Sequence, residues 1–264
     1  MIPLINYDWI IVNSSSGKDS QAMLHYVVEC CKKQEVPLHR VVVGHADLGR
    51  MEWEGSKELA AEQARHYGLR FEVRKNRQRD LLQAVRERGM WPSSTCRYCT
   101  SDFKRSQMRR LFTQLVEEDC GSKYNPTRIL NCMGLRADES PKRQKMEPFA
   151  FNQGASNTKR RVYDWLPIHS WTEEKVWAII KRAGTRVHPA YGYGMPRVSC
   201  VFCIFAPKPA LMIAARHNPE LLDEYIQVET EIKHRFRVDL SLAEVKAAVQ
   251  AGEVAGPMTG AWNM

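Results

Sequence analysis

The apolar run Ile10-Ile11-Val12 breaks at Asn13 into Ser14-Ser15-Ser16-Gly17-Lys18-Asp19-Ser20, and apolar positions then recur at Met23, Leu24, Val27, Val28 and Cys31. A short unbroken apolar run predicts a buried strand and the three-to-four-residue spacing after it predicts a helix, so the polar turn falls on a helix N-terminus. The same punctuation predicts a second strand from Val41 ending in a loop at Asp47, a helix over Ser56 to Tyr67 stopped by Gly68, and a third strand over Leu69 to Val73. Further helices are expected over Gln78 to Arg88 and from near Ser101 to about Glu118, a fourth strand over Thr127 to Met133, an edge strand over Val162 to Ile168, and a helix capped at Thr172. Residues 146–161 read as an irregular mobile insert with its tip at Gln153 to Thr158, either a cover for a ligand or a surface loop. From Lys208 the chain reads as polar helices with apolar spacing at Leu211, Ala214, Leu221, Leu222, Tyr225 and Ile226. Alternating strands and helices imply an α/β, doubly wound, mostly parallel sheet flanked by helices, with right-handed crossovers.

Charge narrows the partners. The 39 Lys and Arg against 30 Asp and Glu leave a formal charge of +9, which favours an anionic partner, nucleotide or nucleic acid, with a merely basic soluble surface as the alternative. No apolar run of about 18 residues occurs and the N-terminus lacks the pattern of a signal peptide, so a cytoplasmic protein with no membrane partner is expected. Eight cysteines in such a compartment point to metal or redox chemistry and away from disulfides.

The small residues of the first turn let several backbone N–H groups face one concavity at a positive helix end, which suits a phosphate. Lys18 is followed by Asp19 and no glycine lies five residues before Gly17, so the Walker A spacing is absent. An ordinary turn capped by serine and aspartate is the alternative. Cys96 and Cys99 form one C-x-x-C pair and Cys200 and Cys203 another, across 100 intervening residues. Paired thiolates suit zinc or an iron-sulfur cluster; zinc pairs usually lie about 15–20 residues apart, whereas a cluster can join distant segments. Gly134-Leu135-Arg136-Ala137-Asp138-Glu139-Ser140-Pro141-Lys142-Arg143 follows the fourth strand, with a glycine that permits close approach and two guanidinium forks suited to phosphate or sulfate.

Ser15-Ser16-Gly17-Lys18-Asp19-Ser20 resembles the S-G-G-K-D-S loop of the ATP-pyrophosphatase and phosphoadenylylsulfate (PAPS) reductase superfamily, the adenine nucleotide alpha hydrolases, with Ser16 in place of the first glycine. If that position needs φ above zero, serine occupies it with strain. The stretch from Gly134 to Arg143 is similar to the superfamily's G-x-R-x-x-E-S-x-x-R element, Cys99-Thr100 with Lys104 to its C-T-x-x-x-K arrangement, and the segments around Trp171 and His188 to its P-I-x-x-W and H-P-x-Y stretches. The resemblance covers about residues 8 to 206. It implies a nucleotide-binding domain with cluster-binding cysteines over 1–206 and a helical C-terminal extension over 207–264.

By that resemblance, Ser15, Ser16, Gly17, Lys18, Asp19, Ser20, Asp47, Gly134, Arg136 and Glu139 are expected to bind the nucleotide, ATP or PAPS/adenylylsulfate, with Mg2+. Locally, Asp47 reads equally well as a loop cap. Lys18, Asp19, Lys104, Arg136 and Arg143 are the expected catalytic residues, with Glu139 orienting an arginine. Cys96, Cys99, Cys200 and Cys203 are the expected ligands of a 4Fe-4S cluster, with structural zinc as the alternative. The resemblance implies a sulfurtransferase of the kind that acts in DNA phosphorothioation or tRNA thiolation. It would cleave ATP between the α and β phosphates to adenylate a nucleic-acid acceptor, and take sulfur from a cysteine desulfurase. The alternatives are a sulfite-forming PAPS or adenylylsulfate reductase fed by a thiol reductant, and a nucleotide-sensing subunit without activity. Reductases of this kind end in a reactive cysteine, and no cysteine follows Cys203, which counts against that alternative.

Overall fold

Ile10, Ile11 and Val12 are all fully buried although strand neighbours point to opposite faces, so the first strand has packed layers on both sides. The computed structural model describes residues 2–256. In chain order the elements are β1 (Trp9–Asn13), α1 (Lys18–Lys33), β2 (Val41–Asp47), α2 (Ser56–His66), β3 (Arg70–Lys75), α3 (Leu81–Arg88), the single turn α4 (Tyr98–Thr100) and α5 (Ser106–Glu118). There follow β4 (Thr127–Cys132), the short α6 (Pro141–Gln144), β5 (Phe149–Phe151), β6 (Arg160–Trp165), α7 (Glu173–Ala183), α8 (Lys208–His217), α9 (Pro219–Ile232) and α10 (Leu242–Gln250). Residues 257–264, the end of the expected C-terminal extension, lie outside the described residues.

The chain forms two compact units, one of Met1–Ala46, Gly55–Arg74 and Arg105–His188, the other of Asp47–Glu54, Lys75–Lys104 and Pro189–Met264. The first contains the sheet, in the order β3-β2-β1-β4-β6-β5. β1 lies parallel between β2 and β4, β6 is parallel to β4, and β5 is antiparallel to β6. Ile10, Val12, Leu130 and Cys132 face α1 and α7, while Ile11, Val42, Ile129 and Val162 face Leu111, Phe112 and Leu115 of α5. The two apolar layers account for the doubly wound α/β architecture expected from the alternation.

Two expectations need correction. The strand at Val162 is interior to the sheet; the edge is β5, which lies inside the segment read as irregular. That insert is an ordered hairpin because a polar network ties it down. Asn13 Nδ2 donates to Asn131 Oδ1 at 2.7 Å, Asn131 Nδ2 to Asp164 Oδ1 at 2.7 Å, and Asn152 Nδ2 to Asp164 Oδ2 at 2.8 Å. At the tip, Ala155 N donates to Asn152 Oδ1 at 2.9 Å and Arg160 Nε to the Ala155 carbonyl at 2.7 Å, with Ala155 buried. Buried polar groups that satisfy one another in a chain hold such a tip rigid.

The second unit is helical. Leu211, Tyr225, Val228, Leu242 and Val245 of the C-terminal helices share one core with Leu82, Val85, Trp91, Tyr98, Val201 and Phe202. Helix α3 begins with a capping box, Asp80 accepting from Gln83 N and Gln83 returning a bond to Asp80 N, and ends at Gly89 with φ 63°. Helix α10 begins with another, between Ser241 and Glu244. Buried Glu229 accepts from Phe236 N at 2.6 Å and from Leu242 N at 2.9 Å, closing the loop between α9 and α10.

Candidate functional site

The first unit carries the serine loop. After Asn13 the chain turns sharply into α1, whose N-cap is Gly17. Ser16 has φ 58°, in the left-handed region that favours glycine, and costs about 1 kcal/mol there. Local bonds hold it: Ser16 N donates to Ser14 Oγ at 3.2 Å, Ser16 Oγ to the Ser15 carbonyl at 2.6 Å, and Ser15 N to Ser20 Oγ at 3.2 Å. The loop is therefore wound around the helix start, with the α1 dipole adding positive potential.

Charged side chains meet beside it. Lys18 Nζ lies 3.5 Å from Asp19 and 3.7 Å from Glu173, with its own side chain 4% exposed. Arg136 is equally buried: its Nε donates to Asp19 Oδ1 at 2.6 Å, its Nη1 to Asp138 and to the Trp171 carbonyl at 3.4 Å, and Nη2 lies 3.8 Å from Glu173. Burial works against the Arg136 charge, and Asp19, then Asp138 and Glu139, outweigh it, so its pKa ends above the usual arginine value. Glu139 accepts from Arg136 N at 2.9 Å and also holds the Arg143 guanidinium. A Cβ on Gly134 would stand 3.0 Å from the Asp19 backbone carbonyl and 3.1 Å from Ser20 N, so the strand end and the loop approach as closely as backbones can. Lys18, Asp19, Gly134, Arg136, Glu139 and Arg143 are thus gathered around one loop. Glu173 and Asp138 were not expected there. Glu173 lies far from the loop in sequence and reads locally as first-turn charge on α7 capped by Thr172, so no short-range signal marks it.

Asp47, Lys104 and the four cysteines fall in the second unit. Asp47 ends β2 and its Oδ1 accepts from Gly49 N at 2.6 Å, a loop-capping bond. Cys200 sits in an antiparallel bridge with Glu52, and Cys99 in the single turn α4. Burial pushes the Cys203 thiol up to about 12, with Cys200 adding to it, and burial followed by Cys200 likewise raises Cys99. Interaction with Cys200 first, and with Glu52, Cys203 and Cys99, raises the Lys104 pKa above its ordinary value against the opposing effect of burial. Lys104 lies in a widened π-helical turn, Ser101–Arg105, of a kind that recurs at functional sites. Cys96 is exposed and its loop is closed by Ser93, whose Oγ accepts from Cys96 N at 2.9 Å. Among the described residues no group of three or more His, Cys, Asp or Glu side chains is arranged to hold a metal ion. The donor chemistry still suits a soft metal or cluster: three thiols lie within electrostatic reach of one another, against the apolar side chains of Tyr98, Val201 and Phe202.

The family model described as phosphoadenosine phosphosulfate reductase domain matches residues 9–206. An uncharacterized 37.8 kDa protein of Escherichia phage 186 is 31% identical over 165 residues, 62% of this chain and 46% of the phage protein, so the chain matches less than half of that relative's length. Among solved structures, a PAPS reductase from Candida auris in a phosphate complex is 12% identical with TM-score 0.48, over 75% of this chain and 83% of that chain. A U34-tRNA thiolase from Methanococcus maripaludis with its [4Fe-4S] cluster is 11% identical with TM-score 0.46, over 100% of this chain and 79% of that one.

Proposed function

Because the chain belongs to the phosphoadenosine phosphosulfate reductase domain family, we propose that it is an ATP-using sulfurtransferase that adenylates an acceptor, a nucleic acid, for sulfur insertion. An acceptor oxygen attacks the α-phosphorus of ATP and pyrophosphate leaves. The outer sulfur of a persulfide delivered by a desulfurase then displaces AMP from the adenylate, and a second thiol attacks the resulting disulfide, leaving sulfur on the acceptor and the carrier in a new disulfide. The observation that carries this reading is the packing of Lys18 and Arg136 against the serine loop at the start of α1, each nearly excluded from solvent. Two cations and a helix N-terminus in one place favour charge built up on phosphate oxygens, and fixed positive groups do most of the work in phosphoryl transfer.

In this reading the backbone of Ser15 to Ser20 receives the phosphates, Lys18 and Arg136 balance their charge together with Mg2+, and Glu139 keeps Arg143 aimed. Asp19 and Glu173 hold the two cations in place until the nucleotide arrives. Cys96, Cys99, Cys200 and Cys203 are the proposed holders of a 4Fe-4S cluster, which when bound supplies a structural anchor and a local charge beside Lys104. The family description itself favours a second reading, a PAPS or adenylylsulfate reductase.

The test combines anaerobic purification, iron and sulfide assays, and incubation with ATP or PAPS. Pyrophosphate and AMP released from ATP with a nucleic-acid acceptor, abolished by Lys18→Ala, are expected. Sulfite from PAPS without pyrophosphate release from ATP would move the chain to the reductase reading. Activity that persists in Lys18→Ala would refute both. About one zinc and no iron per chain would overturn the cluster assignment.

A further inference from the structure

The sheet edge of the first unit carries exposed side chains that the nucleotide loop does not use, beside Tyr163 and Trp165, which also pack against the core. Strand register puts them on one face. Arg128 pairs with Arg161, Phe151 with Tyr163 and Phe149 with Trp165, and directly paired residues point the same way. The strip therefore runs from two guanidiniums to four aromatic rings, Phe151 and Tyr163, then Phe149 and Trp165. Phe149 and Phe151 are 41% and 46% exposed although they belong to the edge strand β5. Phe149 stacks on Tyr163 with ring centres 5.8 Å apart and planes 5° from parallel, and Phe151 meets the same ring at 5.4 Å and 62°. Beside them lies a cavity of about 670 Å3, lined in part by Tyr7, Tyr26, Arg128, Phe149, Tyr163 and Trp165. Neither Arg128 nor Arg161 is paired with a carboxylate among the described residues, and both are exposed.

We propose that this strip binds a single-stranded stretch of nucleic acid, the rings stacking bases and Arg128 and Arg161 taking the phosphates. Exposed rings are costly on a monomer surface unless something covers them. Exposed aromatic rings can stack on any base, and adjoining guanidiniums supply the charge that a backbone needs. A protein strand added to the edge would use the backbone of β5 and would leave two uncompensated arginines alongside. Most of the positive surplus of the chain also lies in this unit. Only the identification of the bound strand with the acceptor rests on the sulfur-transfer reading.

Fluorescence anisotropy of the full chain, without ATP, against labelled oligothymidine and oligouridine of about 20 nucleotides and against a duplex tests it. Single strands are expected to bind more tightly than duplex. Phe151→Ala is expected to weaken them about tenfold, and Arg161→Gln to lower the slope of log affinity against log salt by about 0.7. Both side chains are exposed, so far-ultraviolet circular dichroism of each variant should match the parent. Unchanged affinity and salt slope in both variants, or preference for duplex, would overturn the proposal. So would a self-associating chain that Phe151→Ala makes monomeric and that never binds oligonucleotide, since the edge is then a protein contact. The assay contains no ATP, so failure of strand binding and failure of pyrophosphate release are read separately.

Discussion

Arg136→Met removes the charge that holds the serine loop against the strand end while keeping most of the side-chain volume. Arg136 and Asp19 are 4% and 13% exposed and joined at 2.6 Å, whereas Asp138 and Glu173 are about half exposed. Breaking a buried pair by removing one partner costs about 3–5 kcal/mol, because the remaining charge stays desolvated. The two exposed contacts add no more than about 1 kcal/mol each. Lys18, 3.5 Å from Asp19, partly compensates the orphaned carboxylate, so the expected loss is about 2–4 kcal/mol for the first unit. Urea unfolding followed by tryptophan fluorescence measures it, read as separate transitions should the two units melt apart. A cycle with Asp19→Asn isolates the pair: the double variant should be more stable than the sum of single losses predicts, by about 1–3 kcal/mol. An Arg136→Met loss below about 0.5 kcal/mol, or strict additivity in the cycle, would refute the reasoning that this pair pins the loop.

Gly134→Ala should cost about 1–3 kcal/mol and weaken ATP binding, because its Cβ meets the backbone of Asp19 and Ser20, which cannot rotate aside; denaturant titration and equilibrium dialysis check both. Glu229→Ala leaves Phe236 N and Leu242 N without their acceptor inside the second unit, at about 1–3 kcal/mol for each buried donor; a normal thermal melt would contradict that. Glu118 is held at about 2, below its ordinary 4.5, first by its hydrogen bonds from Arg70. A depressed folded pKa adds stability above the unfolded value and loses it as pH falls through the folded one, so Glu118→Gln should flatten the acid limb between about 4.5 and 2. With a third of the side chain exposed the gain at neutral pH stays near or below about 1 kcal/mol, and an unchanged acid limb would show the pair to be idle.

Much of the sheet was legible because buried parallel strands read as apolar runs and helix ends carry their own chemistry, as Gly68, Gly89 and Thr172 do. The hairpin around Phe149 was not, because its order comes from Asn131 and Asp164 on other strands, and nothing within residues 146–161 announces partners that distant. Its aromatic residues then read as loop content, and β6 was mistaken for the edge that β5 provides. Glu173 was overlooked for the same reason.

From local order of residue types come the strand-turn-helix that seats Ser15 to Ser20, the two cysteine pairs, and the arginines after Gly134, since each depends on neighbours a few positions away. Which groups face one another follows from the path of the chain in space. It sets Asp19 and Glu173 as the partners of Lys18 and Arg136, and places Lys104 among Cys99, Cys200 and Cys203. It also lines Arg128 and Arg161 up with the exposed rings of β5 and gives the C-terminal helices a common core with the cysteine segments. Coulombic and packing energies depend on distance through space, and contacts between residues a hundred positions apart leave no periodicity for a sequence to display.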